Sequence, residues 1–206
     1  MKDTLALFDA DAIESIPMAD ATVRFRPAFY QPPQTDDLLS RLHQETAWKQ
    51  ETITLWGKQH LQPRLSAWYG DADTMYAYSG VTLHPHPWTD MLLRIKSDIE
   101  NATGHRFNSV LLTLYRDEND SVGWHSDAEP ELGAMPVIAS LSLGETRVFR
   151  FRHRTRKELK PISLDLTDGS LLLMEGPTQR FWQHAVVKER RACGPRINLT
   201  FRTILR

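Results

Sequence analysis

The stretch Gly123-Trp124-His125-Ser126-Asp127-Ala128-Glu129 carries a His-x-Asp pair. In an extended strand, residues two apart point to the same side. His125 and Asp127 therefore offer one nitrogen and one oxygen ligand to a single point. A second histidine, His184, lies in the later apolar segment 181–187. Two histidines and one carboxylate on one side of a metal make the facial triad of non-haem Fe(II) oxygenases, which leaves positions open for a cosubstrate and oxygen. A His-x-Asp pair also occurs by chance, and Ser126, with Gly123 nearby, suits a surface turn.

A second constellation lies near the C-terminus. Residues 196–202 alternate: Ile197, Leu199 and Phe201 face one way, into a core, and Arg196, Asn198, Thr200 and Arg202 face the other. A solvated strand face also reads as polar. This one carries two arginines and no acidic residue. Arginine's planar fork suits bidentate binding of carboxylates, so two arginines on one face could hold a small dicarboxylate by both ends. A facial-triad iron uses such a cosubstrate, 2-oxoglutarate, which chelates the metal with one end and keeps a second carboxylate for an anchor.

In this order and spacing, His125-x-Asp127, then His184, then Arg196-x-Asn198-x-Thr200-x-Arg202 resembles the AlkB family of Fe(II)/2-oxoglutarate dioxygenases. The resemblance runs from about residue 30 to the C-terminus and is strongest to members that repair alkylated double-stranded DNA. It implies that Fe(II) is held at a catalytic centre of His125, Asp127 and His184. It implies that 2-oxoglutarate is held by Tyr115, Arg196, Asn198 and Arg202, without saying which arginine takes which carboxylate. Thr113 departs from the family, where an Asn is common; its hydroxyl cannot match an amide's donors and acceptor. The implied reaction is oxidative demethylation of bases such as 1-methyladenine and 3-methylcytosine, releasing formaldehyde as 2-oxoglutarate becomes succinate. An oxygenase acting on RNA or protein, and a non-catalytic module for damaged DNA, are the alternatives.

The resemblance also implies substrate contacts. Trp56, at the tip of an expected hairpin over residues 51–60, matches an aromatic residue that enters the base stack where a nucleotide has flipped out; wedges of this kind exchange unstacking for a distorted duplex. Trp56 also reads as a core residue folded back. Arg64, Tyr76 and Tyr78 match the nucleotide-recognition lid, since aromatic rings stack on an extruded base, although alternating tyrosines are ordinary strand residues too. Glu129 matches an acidic residue facing the damaged base. Lys188, Arg190 and Arg191 match a basic loop that touches the opposite strand, giving affinity without sequence information; a solvated turn is the plainer reading.

The elements that must position these residues are mostly strands. Short alternating runs over residues 21–26, 108–115, 137–143, 147–153, 162–166 and 170–174, with two helical stretches, predict a mostly β fold with flanking helices (α+β). The resemblance makes this a double-stranded β-helix, or jelly roll, with an N-terminal nucleotide-recognition lid. The expected division is an N-terminal extension at 1–20, a part with helices and lid at 21–105, and a catalytic core at 106–206, all within one structural domain. Asp168-Gly169 predicts a hairpin turn. Thr35 predicts a helix cap, with that helix ending near Trp48. Pro87 and Gly104 bracket a second helix.

The 206 residues carry a formal net charge of −1, which by itself argues against a nucleic-acid partner. Residues 1–105 carry −5 and residues 106–206 carry +4, so the basic charge sits in the half with the metal motif. The single Cys193 fits a reducing compartment. No apolar run reaches membrane-spanning length and no secretory signal is visible. A monomer is expected, with no membrane partner, in the cytoplasm of a bacterium or the nucleus of a eukaryote.

Overall fold

Alternation decides the layering. Along residues 138–144, Ala139, Leu141 and Leu143 join one apolar cluster, while Ser140 and Ser142 point the other way. Residues 196–202 do the same, with Ile197, Leu199 and Phe201 in that cluster. Period-2 patterning of this kind covers one face of a sheet with helices and turns the other inward.

The structure, a computed structural model, describes residues 12–55, 57–74, 76–78 and 81–205; at 54–55, 76–78 and 81–83 it describes the backbone alone. The first strands are β1 (Glu14–Ile16) and β2 (Thr22–Arg26), followed by helix α1 (Gln34–Glu45). Then come β3 (Thr52–Leu55), β4 (Lys58–Leu61), β5 (Leu65–Gly70), β6 (Tyr76–Tyr78) and β7 (Val81–Leu83). Helix α2 (Asp90–Thr103) leads into β8 (Ser109–Tyr115), β9 (Val122–His125), β10 (Ile138–Gly144), β11 (Arg147–His153), β12 (Ile162–Leu166) and β13 (Leu171–Glu175). The short helix α3 (Thr178–Phe181) precedes β14 (Trp182–Val186) and β15 (Arg196–Arg202).

Seven strands form one antiparallel sheet in the order β1-β2-β13-β10-β15-β8-β5, and four form a second in the order β12-β11-β14-β9. The two sheets share a core in which Leu172, Met174 and Ile138 of the larger meet Phe149, Phe151 and Trp182 of the smaller. This is the jelly roll. The hairpins β3–β4 and β6–β7 stand outside both sheets. On the outer face of the large sheet, Leu38 and Leu42 of α1 and Leu92, Ile95 and Ile99 of α2 pack onto Leu112, Leu141 and Leu199. Burying each such side chain contributes about 1.5–3 kcal/mol. Helix α2 begins at Thr89, whose hydroxyl accepts from the Leu92 N–H, and ends at Gly104 with φ 76°. No helix among the described residues is long and apolar enough to cross a membrane.

Two local expectations are corrected. Helix α1 starts at Gln34 after Pro33, with no side-chain cap hydrogen bond, and Thr35 is buried inside its first turn. It ends at Glu45, and the Trp48 indole N–H folds back to donate to the His43 carbonyl at 3.1 Å. Asp168-Gly169 does not turn a hairpin: β12 pairs with β11 while β13 pairs with β10 and β2, so this turn carries the chain from one sheet to the other. Its geometry is set by tertiary contacts. The Asp168 carboxylate accepts from the Gly144 N–H at 2.7 Å, and the Gly169 carbonyl accepts from Phe29 and Tyr30. Gly169 has φ 70°, and a Cβ there would run into the Tyr30 carbonyl. Gly169→Ala is therefore expected to destabilise the fold by about 2–5 kcal/mol, combining left-handed strain with overpacking. Thermal melting checks this, and an unchanged midpoint would contradict the crossover geometry.

Candidate metal and cosubstrate site

Strand β9 ends at His125, and the antiparallel β14 places His184 directly opposite, with a register shift between His184 and Val186. The two rings meet edge to face with centroids 4.3 Å apart. Asp127 lies just past the end of β9, buried, its backbone N–H donating to Gln179 Oε1 at 2.9 Å. Gln179 in turn sits in α3 against Met174 Sδ. One ligand atom from each of His125, Asp127 and His184 lies within 4.8 Å of the others.

The protonation states suit a divalent metal. His125 Nδ1 is 2.8 Å from the Gly123 carbonyl, which can only accept, so Nδ1 carries a proton and Nε2 is the nitrogen left to face a metal. His184 is buried and stacked on Phe149, and burial, aided by the neighbouring His125, pushes its pKa down to about 3. It is neutral across the physiological range, as a ligand must be. Burial pulls the Asp127 carboxyl upward, but Arg202, whose Nη2 donates to it at 3.0 Å, together with the two histidines brings it below the usual range. Asp127 is ionised. Two imidazoles and one carboxylate fit Fe(II).

The polar face of β15 is buried at Arg196 and Asn198 and half-buried at Thr200 and Arg202. It lines the interior of the sandwich, with Arg196 1% and Asn198 8% exposed. Arg196 Nη2 donates to Ser142 Oγ and to Asn198 Oδ1, both at 2.9 Å, and its guanidinium lies 5.2 Å from the Tyr115 ring centre. Ser140 also donates to Asn198 Oδ1, and Asn198 Nδ2 donates to Thr200. Burial lowers the Arg196 pKa to about 10, which leaves it charged at neutral pH. Its Nε and Nη1, and Nε of Arg202, are buried without a hydrogen-bond partner. A buried unmatched donor costs about 1–3 kcal/mol, more when charged. Three such donors on one wall fit the carboxylates of 2-oxoglutarate. Thr113 lies directly opposite Asn198 on β8.

The remaining candidates spread around this centre. Arg64, just before β5, is half-buried and donates to the Ser121 carbonyl at 3.2 Å; burial lowers its pKa. Glu129 is half-buried, with Oε2 enclosed and unmatched. Lys188, Arg190 and Arg191 are exposed in the loop between β14 and β15. Tyr76 and Tyr78 lie on β6, paired to β7, but their side chains lie outside the described residues, as does the whole of Trp56. Several site-forming residues carry no sequence signal. Gln179 holds Asp127, Ser142 holds Arg196, Phe149 walls His184, and the buried Arg147 lies 5.4 Å from the Tyr115 ring centre.

Comparison with known proteins agrees with this geometry. The profile of the 2OG-Fe(II) oxygenase superfamily matches residues 22–202. The human alpha-ketoglutarate-dependent dioxygenase alkB homolog 3 is 45% identical over 196 residues, covering 91% of this chain and 68% of that protein. The mouse DNA oxidative demethylase ALKBH2 is 40% identical over 195 residues, covering 90% and 80%. The solved structure of OsALKBH1 superposes with a TM-score of 0.64 at 16% identity, over 91% of this chain and 98% of that one, and so shares the fold. With its Fe(II)-compatible triad and its wall of unmatched buried guanidinium donors, the chain belongs to the AlkB family of Fe(II)- and 2-oxoglutarate-dependent dioxygenases.

Proposed function

We propose that this enzyme oxidatively removes methyl groups from the nitrogens of bases in DNA, with duplex DNA as a substrate. The observation that carries the chemistry is the buried wall of Arg196 and Arg202 donors beside the His125–Asp127–His184 cluster. The nucleic-acid substrate is supported by the DNA demethylase relatives. When bound, Fe(II) and 2-oxoglutarate would supply a centre that activates O2: one oxygen atom would oxidise 2-oxoglutarate to succinate and carbon dioxide, and the other would hydroxylate the N-methyl group, whose hydroxymethyl product releases formaldehyde.

The chain's own residues supply geometry. His125, Asp127 and His184 hold the metal, and Gln179 fixes Asp127. Arg202, already on Asp127, and Arg196, beside Tyr115 and Asn198, would hold the cosubstrate's carboxylates. Phe149 excludes water behind His184. Glu129 faces the base, and Arg64 with Tyr76 and Tyr78 encloses it. Lys188, Arg190 and Arg191 contact the opposite strand, and Trp56 fills the vacancy in the stack. The lesions are 1-methyladenine and 3-methylcytosine.

Turnover on the same methylated sequence as duplex, single strand and RNA tests the substrate class. DNA is expected to exceed RNA, and the reverse would move the assignment to RNA. Trp56→Ala is expected to slow duplex repair about tenfold or more while single-stranded repair changes little, because only the duplex has an intact stack to fill. If Trp56 were core, truncation would instead cost about 3–5 kcal/mol of stability and slow both substrates alike. The duplex-to-single-strand rate ratio, read beside a melting curve, separates the two.

A further inference from the structure

Arg147 is a fully buried arginine that the proposed mechanism does not use. Burying a guanidinium is costly unless its donors are matched. Here backbone carbonyls match Nη1 and Nη2, while the buried Nε makes no hydrogen bond. Nη1 donates to the Asp117 carbonyl at 3.2 Å, and Nη2 donates to the Asp120 carbonyl at 2.7 Å and to the Val187 carbonyl at 2.8 Å. Nε faces the Glu189 carboxylate at 3.4 Å. One side chain at the start of β11 thus ties the β8–β9 loop to the loop that follows β14.

These loops meet both halves of the site. The β8–β9 loop grows directly out of Tyr115, whose ring centre lies 5.4 Å from the Arg147 guanidinium and 5.2 Å from that of Arg196. The same loop holds the chain entering β5: Ser121 donates to the Pro63 carbonyl, and Arg64 donates to the Ser121 carbonyl. The loop after β14 carries Arg190 and Arg191, and its Glu189 N–H donates to the Glu118 carbonyl at 2.9 Å. Loops are the mobile parts of such folds. A fork binding three carbonyls fixes loop backbone whatever the loop side chains are, and a lysine, a point charge without the fork, cannot reproduce it.

We propose that Arg147 is a positioning residue, whose single buried guanidinium sets both the cosubstrate tyrosine, Tyr115, and the loop 187–191 that presents Arg190 and Arg191. This rests on the site reading given above. Its consequence is that one substitution loosens the grip on 2-oxoglutarate and the grip on DNA together.

The test uses the full chain, loaded anaerobically with Fe(II), and measures affinity for 2-oxoglutarate and for a methylated duplex oligonucleotide. Amide hydrogen exchange is recorded beside it. Tyr115→Phe is expected to weaken 2-oxoglutarate alone, and an Arg190→Ala/Arg191→Ala double variant to weaken DNA alone. Arg147→Lys and Arg147→Met are expected to weaken both, each by about tenfold. In Arg147→Lys, amides of 116–121 and 187–191 are expected to exchange about tenfold faster while those of β10 and β15 do not change, a pattern that general destabilisation does not give. Glu189→Gln, outside the binding machinery, is expected to weaken DNA about threefold and to spare 2-oxoglutarate.

If the Tyr115 and Arg190/Arg191 variants respond but folded Arg147 variants keep both affinities and slow loop exchange, the site reading stands and the positioning role is overturned. If the Tyr115 and Arg190/Arg191 variants are silent, the site reading fails and takes the proposal with it. Should Arg147→Met not fold, Arg147→Lys and Glu189→Gln decide, and unchanged loop exchange with unchanged DNA affinity overturns the proposal.

Discussion

Asp127→Ala is expected to reduce 2-oxoglutarate turnover by at least about 1,000-fold, a loss of roughly 4 kcal/mol or more of transition-state stabilisation. The substitution removes the one anionic ligand of the cluster. It also strips Arg202 of the carboxylate it holds at 3.0 Å, leaving a largely buried guanidinium beside the metal site. His125 and His184 remain to hold Fe(II) without the carboxylate's charge compensation. Replacing Gln179 provides the graded comparison. Its side-chain oxygen touches the Asp127 backbone and not the metal, so Gln179→Ala is expected to cost about 10–100-fold, as supporting contacts around metal ligands do. Fe(II) titration and turnover of both variants, with melting curves, check the order. Near-normal turnover in Asp127→Ala would remove it from the ligand set.

Arg196→Ala is expected to raise the KM for 2-oxoglutarate by about 100-fold or more, since breaking a buried charge pair costs about 3–5 kcal/mol. At saturating 2-oxoglutarate, kcat falls far less, because the lost contact is made equally before and during the reaction. Arg196→Lys does not rescue. A lysine keeps the charge but not the fork that reaches Ser142, Asn198 and a carboxylate together. A folded Arg196→Ala protein with an unchanged KM would mean that the unmatched donors Nε and Nη1 have another purpose.

The features readable from sequence are those written in short-range periodicity. The alternation of 196–202 predicted which side chains of β15 join the core, and they do. The bracket of Pro87 and Gly104 predicted α2, which runs Asp90–Thr103 and ends at Gly104. His125 and Asp127 were visible as a two-residue pair and His184 as an apolar-strand histidine. Their convergence depends on the β9–β14 register.

What stayed hidden depends on contacts between distant parts of the chain. Gln179 reaches Asp127 across 52 residues. Nothing around Arg147 marks it as buried, because its partners are carbonyls, which every residue has. The same local limit explains the Asp168-Gly169 correction. The dipeptide specifies a tight turn with a positive φ, which the structure has, but whether the flanking strands pair with each other is settled by β10, β11 and β2. Likewise, Thr35 is a fitting cap by type, yet the turn starting at Pro33 draws it into the helix, where it is buried.

The most direct measurement is product stoichiometry on a duplex oligonucleotide carrying a single 1-methyladenine, with Fe(II), 2-oxoglutarate and oxygen supplied. Formaldehyde and succinate are expected in equal amounts, with unmodified adenine recovered in the DNA and no product when either Fe(II) or 2-oxoglutarate is omitted. Succinate forming while the methylated base stays intact, or demethylation proceeding without 2-oxoglutarate, would contradict the account.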